Sequence, residues 1–139
     1  MSEELPLNVV KWPTELSSFD AIEILGITLE KTKLQIAARG LAEKAPYRHF
    51  LIEFPYFSHF RCEEATFTSK NVLEPWLTFG PTLNIEKSPW IKSSAAKSVF
   101  FHGDYEYEGP FIHYAIVAVN YVVEVLSNYP STIRGSDTP

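Results

Sequence analysis

Residues 47–64 alternate between apolar and polar side chains, and this two-residue period constrains the fold more than any other feature of the chain. The even-numbered positions are mostly apolar and include Phe50, Ile52, Phe54, Tyr56, Ser58, Phe60 and Cys62. The odd-numbered positions are mostly polar and include His49, Glu53, His59, Arg61 and Glu63. Such a period is typical of a half-buried strand, with the first set directed to a core and the second set outward. Because the segment is longer than a typical strand and Pro55 cannot donate to a ladder, we expect a bend or break at the proline.

Residues 21–40 contain two further alternating runs and predict a β-hairpin. The first run changes phase at Leu25-Gly26, where one extra residue in a β-bulge would reconcile the two phases. Lys31-Thr32 is the predicted turn, and Gly40 ends the second run. A helix over residues 15–25 is the competing interpretation.

The segment 111–127 is dense in valine, isoleucine and aromatic residues, and it predicts two strands that are buried on both faces. Asn120-Tyr121 is the predicted turn between them, because asparagine tolerates left-handed backbone angles. The alternative is one helix over residues 112–127, which the many β-branched side chains disfavour.

The region between these strands is less regular. Residues 71–86 contain Pro75, Gly80 and Pro81 and are interpreted as irregular. A short helix is expected over residues 88–97, with Ser88 as its cap and Pro89 at its first position. Residues 100–111 are interpreted as an acidic, aromatic loop.

A length of 139 residues suits one domain that buries a core without disulfides or metal. Hydrophobic residues make up 45% and charged residues 21%, which is typical of a globular chain. We therefore expect one α+β domain over residues 1–139, mainly antiparallel strands in a sheet, sandwich or open barrel, with one or two short helices. The ends near residues 1–8 and 134–139 are expected to be flexible, because the tail lacks an apolar anchor.

The net charge of −5 argues against nucleic acid as a partner, because such binding depends on clustered lysine and arginine. No apolar run approaches the length that spans a bilayer, and the first residues do not resemble a secretory signal. We therefore expect a cytoplasmic protein that does not bind a membrane. The single cysteine, Cys62, fits a reducing compartment and is expected to be a small core residue. The sequence leaves a homo-oligomer open.

The pair His59-x-x-Cys62 has the spacing of metal ligands, and His102 and His113 could complete such a site. On a strand, residues three positions apart point to opposite faces, so we expect no metal site. The chain contains no glycine-rich phosphate loop, no dinucleotide fingerprint and no nucleophile elbow, and we expect no cofactor.

The first candidate for a binding site is the stretch formed by Asp104, Tyr105, Glu106, Tyr107 and Glu108. Tyrosines anchor many protein interfaces, and clustered carboxylates steer a basic partner toward them. The alternative is a hairpin arm whose tyrosines cover the core, and the residues favour neither interpretation.

The odd-numbered residues of 47–64 form the second candidate, because alternation puts His49, Glu53, His59, Arg61 and Glu63 on one side of a strand. A carboxylate beside an imidazole can support acid–base chemistry. A solvated face with cross-strand charge pairs is the simpler interpretation. If the chain is instead a small enzyme or a ligand-binding domain, we expect its pocket near His49, His59 or His113.

Three stretches of the chain resemble a pattern of small uncharacterised bacterial proteins, some of which sit beside toxin genes and are similar to immunity proteins. These stretches are Phe57–Glu64, Lys87–Ile91, and His113–Val117 running to Val123–Leu126. The resemblance implies a binding role and carries no catalytic residues. We therefore expect a non-enzymatic module that binds a protein partner, as an inhibitor or immunity factor, and an enzyme is the less favoured alternative.

Overall fold

The computed structural model describes residues 8–19, 21–41, 48–57, 59–65, 70–86, 88–91, 111–128 and 131–136. The strands in this part of the chain are β1 (Asn8–Lys11), β2 (Ala21–Glu30), β3 (Lys33–Leu41), β4 (Arg48–Phe54), β5 (His59–Glu64), β6 (Thr82–Glu86), β7 (Ile112–Val117), β8 (Tyr121–Ser127) and β9 (Thr132–Ser136). A 3-10 helix spans Glu15–Ser18, and the α-helix α1 spans Lys70–Phe79.

The strands pair antiparallel and form two sheets. The five-stranded sheet has the order β1-β6-β7-β8-β5, and the four-stranded sheet has the order β2-β3-β4-β9. Over the described residues, neither sheet closes into a barrel. The prediction of an α+β fold made mainly of antiparallel strands with short helices is therefore confirmed, and the strands form a sandwich.

The main core lies between the two sheets and contains buried side chains from both. The inward positions predicted for β4 are confirmed, since Phe50, Ile52 and Phe54 are at most 3% exposed. The ring of Phe54 lies 5.1 Å from that of Tyr114, which belongs to the opposite sheet. Trp12 packs on Tyr114 at 4.7 Å, so an aromatic cluster joins the two layers at their centre.

The outer face of the five-stranded sheet is covered in part by α1, whose Trp76 and Phe79 pack on a second apolar cluster of β6, β7 and β8. The prediction of irregular structure over residues 71–86 is wrong, because α1 and β6 occupy most of that region. Pro75 lies inside α1. The contacts of Trp76 and Phe79 with the sheet offset the backbone hydrogen bond that the proline removes. No helix among the described residues has the length and apolar character needed to cross a bilayer.

The predicted hairpin over residues 21–40 is confirmed as β2 and β3. Its register passes from the pair Ile24–Ala38 to the pair Gly26–Ala37, which leaves Leu25 as the extra residue of a bulge. Lys31 in the turn has a φ of 56°, a left-handed conformation. The competing helix over residues 15–25 is wrong beyond its first turn, since the 3-10 helix ends at Ser18.

The predicted strand pair over residues 111–127 is confirmed as β7 and β8. The turn between these strands forms hydrogen bonds with β2 of the other sheet. Ile24 donates its backbone N–H to Asn120 Oδ1 at 3.0 Å, and Asn120 Nδ2 donates to the carbonyl of Ile24 at 2.9 Å. The backbone N–H of Val119 donates to the carbonyl of Ile22 at 2.8 Å. The turn therefore occupies the outer edge of the first half of β2.

The C-terminal region differs from the expected flexible tail, because residues 134–136 belong to β9 and pair with β4. Ile133 packs against the main core and anchors this strand. Backbone pairing thus replaces the apolar anchor that residues 134–136 lack. At the other end, Asn8 already belongs to β1. The rest of the predicted flexible ends, residues 1–7 and 137–139, lies outside the described residues.

Candidate functional site

The segment 47–64 is divided between the two sheets, and the prediction of one continuous polar face is therefore wrong. β4 lies inside the four-stranded sheet, whereas β5 is an edge strand of the five-stranded sheet. The break follows Phe54 at Pro55, where the sequence predicted it. His49 and Glu53 consequently lie on the outer face of one sheet, and His59, Arg61 and Glu63 on the outer face of the other.

The outer face of β4 carries cross-strand polar pairs. Glu53 accepts hydrogen bonds from Gln35 Nε2 at 3.3 Å and from Arg134 Nη2. His49 is half-buried and lies opposite Arg39 in the register. Four residues of strand separate His49 from Glu53 by about 13 Å, so the two do not form an acid–base pair. This half of the second candidate fits the simpler interpretation of a solvated face.

The outer face of β5 belongs to a continuous polar network. Glu124 on β8 lies opposite Arg61 and accepts from its Nε at 2.7 Å and from its Nη2 at 3.1 Å. His113 Nε2 lies 2.7 Å from Glu124 Oε1, and His113 Nδ1 lies 2.7 Å from Ser88 Oγ. Ser88, His113 and Glu124 are 2%, 3% and 4% exposed. The network therefore runs from a buried serine to a guanidinium at the surface.

One assignment of protons satisfies all the hydrogen bonds of this network. Glu124 is an acceptor, so His113 Nε2 carries the proton and donates to it. His113 Nδ1 then accepts from the hydroxyl of Ser88. The same hydroxyl oxygen accepts the backbone N–H of Ile91 at 3.3 Å, which confirms Ser88 as the predicted helix cap. Residues 89–91 are helical, and residues 92–97 of the predicted helix lie outside the described residues.

The ring of Trp90 packs against the Arg61 and His113 side chains of the network. The guanidinium carbon of Arg61 lies 4.4 Å from the centre of the Trp90 ring, which is a cation–π contact. The ring of His113 meets Trp90 edge to face at 5.2 Å, and His59 approaches it at 6.1 Å. We call the set Arg61, Ser88, Trp90, His113 and Glu124 the Arg61 platform.

The charges of the platform stabilise one another. Burial raises the pKa of Glu124, but hydrogen bonds from His113 and Arg61 and the Arg61 charge outweigh it, so the net pKa lies below the ordinary value. The hydrogen bond to Glu124 raises the pKa of Arg61 against the opposing effect of burial. Glu124 is thus ionised and bonded on both oxygens, which is what a buried carboxylate requires.

Serine, histidine and a carboxylate in one hydrogen-bonded chain also have the composition of a nucleophilic triad. Two observations distinguish the platform from an accessible triad. Ser88 is 2% exposed, and its oxygen is already committed to the N–H of Ile91. A shallow cleft between the Lys31-Thr32 turn and Tyr56 includes none of the histidines named from the sequence.

The remaining predicted residues are placed as follows. Glu63 is exposed on β5. Cys62 is exposed, contrary to the expected core position, because β5 lies at a sheet edge. Partial burial of the sulfur, and then the charge of Glu63, raises the pKa of the Cys62 thiol. No three histidine, cysteine, aspartate or glutamate side chains of the described ranges form a group that could hold a metal ion.

The first candidate site, Asp104 to Glu108, lies outside the described residues. Sequence reasoning named Arg61 and His113 but did not assign Glu124 or Trp90 to a site. The signal for Glu124 was present, since it is a carboxylate inside a strand predicted to be buried on both faces. Comparisons with protein-family models, curated protein sequences and solved structures give no match to this chain.

Proposed function

We propose that this chain is a non-enzymatic module that binds a protein partner, in the manner of an inhibitor or immunity factor, and that the Arg61 platform is part of its contact surface. The observation that carries the proposal is the setting of Arg61. Its side chain is 51% exposed, yet its guanidinium is held by Glu124 on one side and by Trp90 on another.

An arginine fixed in this way suits a binding hot spot. Arginine and tryptophan are among the residues that dominate interface energies. A surface side chain normally loses conformational freedom when a partner binds, and this loss weakens association. Arg61 has already lost that freedom through its two hydrogen bonds and its ring contact. Preorganisation of this kind favours a slow rate of dissociation.

The buried part of the platform supports the same proposal. Removing a carboxylate and an imidazole from water is unfavourable unless every polar atom is bonded, and apolar side chains of similar size would often be as stable. Here the buried polar atoms are bonded in a line that ends at the exposed Arg61. We infer that this line fixes the orientation of the arginine.

Two features of the sequence agree with this assignment. All five platform residues fall within the three stretches that resemble small uncharacterised bacterial proteins, some of which are similar to immunity proteins. The acidic tyrosine stretch, residues 104–108, lies between Trp90 and His113 in the sequence. We propose that its carboxylates steer a basic partner and that its tyrosines extend the contact.

The test compares two arginines. Arg61 and Arg134 are both exposed and each bonds one glutamate, but they lie on opposite outer faces of the sandwich. Proteins captured by the wild-type chain are identified and purified, and their affinities are measured by calorimetry. A true partner should bind Arg61→Ala at least tenfold more weakly and Arg134→Ala normally. Equal affinities for the two variants would place the interface away from the platform.

A second measurement tests residues 104–108. Neutralising Asp104, Glu106 and Glu108 together should slow association with the same partner and flatten its salt dependence. Replacing Tyr105 or Tyr107 with alanine should mainly accelerate dissociation. If the tyrosine variants unfold, those rings cover the core, and the platform alone carries the proposal.

The chain from Ser88 through His113 to Glu124 supports one alternative, an acyl-transfer enzyme. In that case a fluorophosphonate probe should label the protein at Ser88, and Ser88→Ala should abolish the labelling. Under the binding proposal, the folded protein is not labelled. Stoichiometric labelling of the folded protein at Ser88 would replace the binding proposal with the enzyme.

A further inference from the structure

The outer edge of β2 divides into a covered half and an open half. At Ile22 and Ile24 the edge is occupied by the turn that contains Val119 and Asn120. The bulge at Leu25 marks the end of this cover. Beyond it, from Gly26 to Glu30, no strand among the described residues pairs with the outer edge, because β2 ends the order of its sheet.

The open half differs from the other sheet edges in this part of the chain. Proteins protect edge strands by making them short, placing charges on them or covering them. β1 has four residues, β9 has five and carries Arg134, and β5 carries Arg61, Glu63 and Glu64. In contrast, the open half of β2 carries a charge only at its last residue, Glu30, and residues 26–29 carry none. Leu25 and Leu29 beside this edge are 48% and 54% exposed, an unfavourable arrangement for a free edge.

The strand is also complementary to itself. In an antiparallel ladder, alternate residues direct their N–H and C=O groups to one side. Ile24 uses its outer edge, and the bulge shifts the phase by one, so Ile27 and Leu29 direct theirs outward. A second copy of β2 centred on Thr28 would set Ile27 opposite Leu29 twice, with Thr28 opposite its counterpart. Such pairing would satisfy the open backbone groups and cover Leu29.

The register also avoids the covered half. With Thr28 at the centre, Gly26 lies opposite Glu30, and the partner's strand ends before it reaches the edge of Ile24 that Asn120 occupies. Lys31 of each copy would follow opposite Leu25 of the other copy. The two ends of the interface are identical under the two-fold axis, and each would place one Lys31 two residues from a Glu23, whose carboxylate also bonds Arg39. Shifting the centre to Leu29 would instead set Lys31 against Ile27, a poorer match.

We propose that the open half of β2 binds a second copy of this chain, and that two four-stranded sheets join across a two-fold axis at Thr28. The occupant is a second copy because the apolar pairs and the open backbone groups are complementary under that axis. This interface lies on the opposite sheet from the Arg61 platform, and the proposal does not depend on the proposed function.

The test is the oligomeric state of the full chain, measured by sedimentation and by light scattering from micromolar to millimolar concentration. The monomer mass is 15.8 kDa, and the wild type is expected to reach twice this value. Leu29→Lys should raise the dimer dissociation constant at least tenfold. Leu77→Lys is the matched control, since Leu77 on α1 is 78% exposed and far from β2 in the fold. If Leu29→Lys does not fold, Leu29→Asn takes its place.

Hydrogen exchange locates the interface. The amides of Ile27 and Leu29 should become protected as the concentration rises, while that of Thr28, which faces β3, should change little. A wild type that is monomeric at millimolar concentration would overturn the proposal. A dimer that Leu29→Lys leaves intact, protection confined to β5, or capture of a foreign strand by β2 in place of the second copy would overturn it as well.

Discussion

His113 and Glu124 are joined by a 2.7 Å hydrogen bond although they are not opposite each other in the ladder. His113 pairs with Leu126, and Glu124 pairs with Ala115. The bond therefore crosses diagonally between β7 and β8, and the register leaves Glu124 facing Arg61 on β5. Glu124 thus links three strands of one sheet, and its ionisation is expected to affect the stability of the whole sheet.

Lowering the pH is expected to destabilise the protein through Glu124. Its pKa in the folded protein lies below the ordinary value, so its carboxylate contributes stability above the unfolded pKa of about 4.3. This contribution is lost as the pH falls through the folded pKa. Glu124→Gln should be less stable by about 1–3 kcal/mol at pH 7, and urea unfolding should show the difference shrinking below about pH 4. A difference that stays constant from pH 7 to pH 3 would contradict this assignment.

Removing the hydroxyl of Ser88 is expected to be costly. Ser88→Ala leaves His113 Nδ1 buried without a donor and removes the cap of residues 89–91, at a cost of about 1–3 kcal/mol in the free energy of unfolding. Ser18 is the control, since its hydroxyl donates to the carbonyl of Glu15 at an exposed site. Ser18→Ala should cost no more than about 0.5 kcal/mol in chemical denaturation. If Ser88→Ala and Ser18→Ala lowered the free energy of unfolding equally, the buried hydroxyl of Ser88 would stabilise the protein no more than an exposed one.

Two adjacent residues on β4 should differ strongly in their effect on stability. Phe54 is fully buried between the sheets, and Phe54→Ala is expected to cost about 3–5 kcal/mol. Glu53 lies on the outer face, where its bonds to Gln35 and Arg134 are those of a surface pair. Glu53→Ala should cost less than about 1 kcal/mol in the same urea titration. A larger effect of Glu53 than of Phe54 would mean that the faces of β4 are reversed.

The same substitution should have opposite effects at two positions of the β2–β3 hairpin. Lys31 has a φ of 56°, which costs a side-chain-bearing residue about 1 kcal/mol and costs glycine nothing. Lys31→Gly should therefore raise the melting temperature. Lys33 lies in β3, where glycine weakens a strand, and Lys33→Gly should lower it. Calorimetry of both variants checks the signs, and a drop for Lys31→Gly would show that the lysine side chain makes a stabilising contact.

The strands could be predicted from the sequence wherever buried and exposed side chains alternate along the strand. The alternation at Phe50, Ile52 and Phe54 and the phase change at Leu25 report burial directly, so β4, β2 and the bulge follow from the residues alone. α1 was missed because Pro75 reads as a break, and only the contacts of Trp76 and Phe79 with the sheet make the helix favourable there. Such long-range packing leaves no local pattern.

The candidate site was predictable only in part for a similar reason. Arg61 and His113 are visible as polar residues in strands, but their meeting depends on β5 pairing with β8, and local sequence does not reveal strand order. The single polar face over residues 47–64 failed at Pro55, because a break there sends the chain from one sheet to the other. The carboxylate of Glu124 was the clue to the buried network, since a charge in a doubly buried strand needs partners.

The dependence of β2 on Asn120 has a consequence for the newly made chain. Ile24 and Asn120 are 96 residues apart, so the ribosome needs about 5–20 s after making β2 to supply the residue that covers its edge. Until then the whole length of β2 is available to pair with neighbouring nascent chains. Translation speed between these two residues should therefore influence the yield of correctly folded protein, and slow codons in this interval would favour aggregation on polysomes.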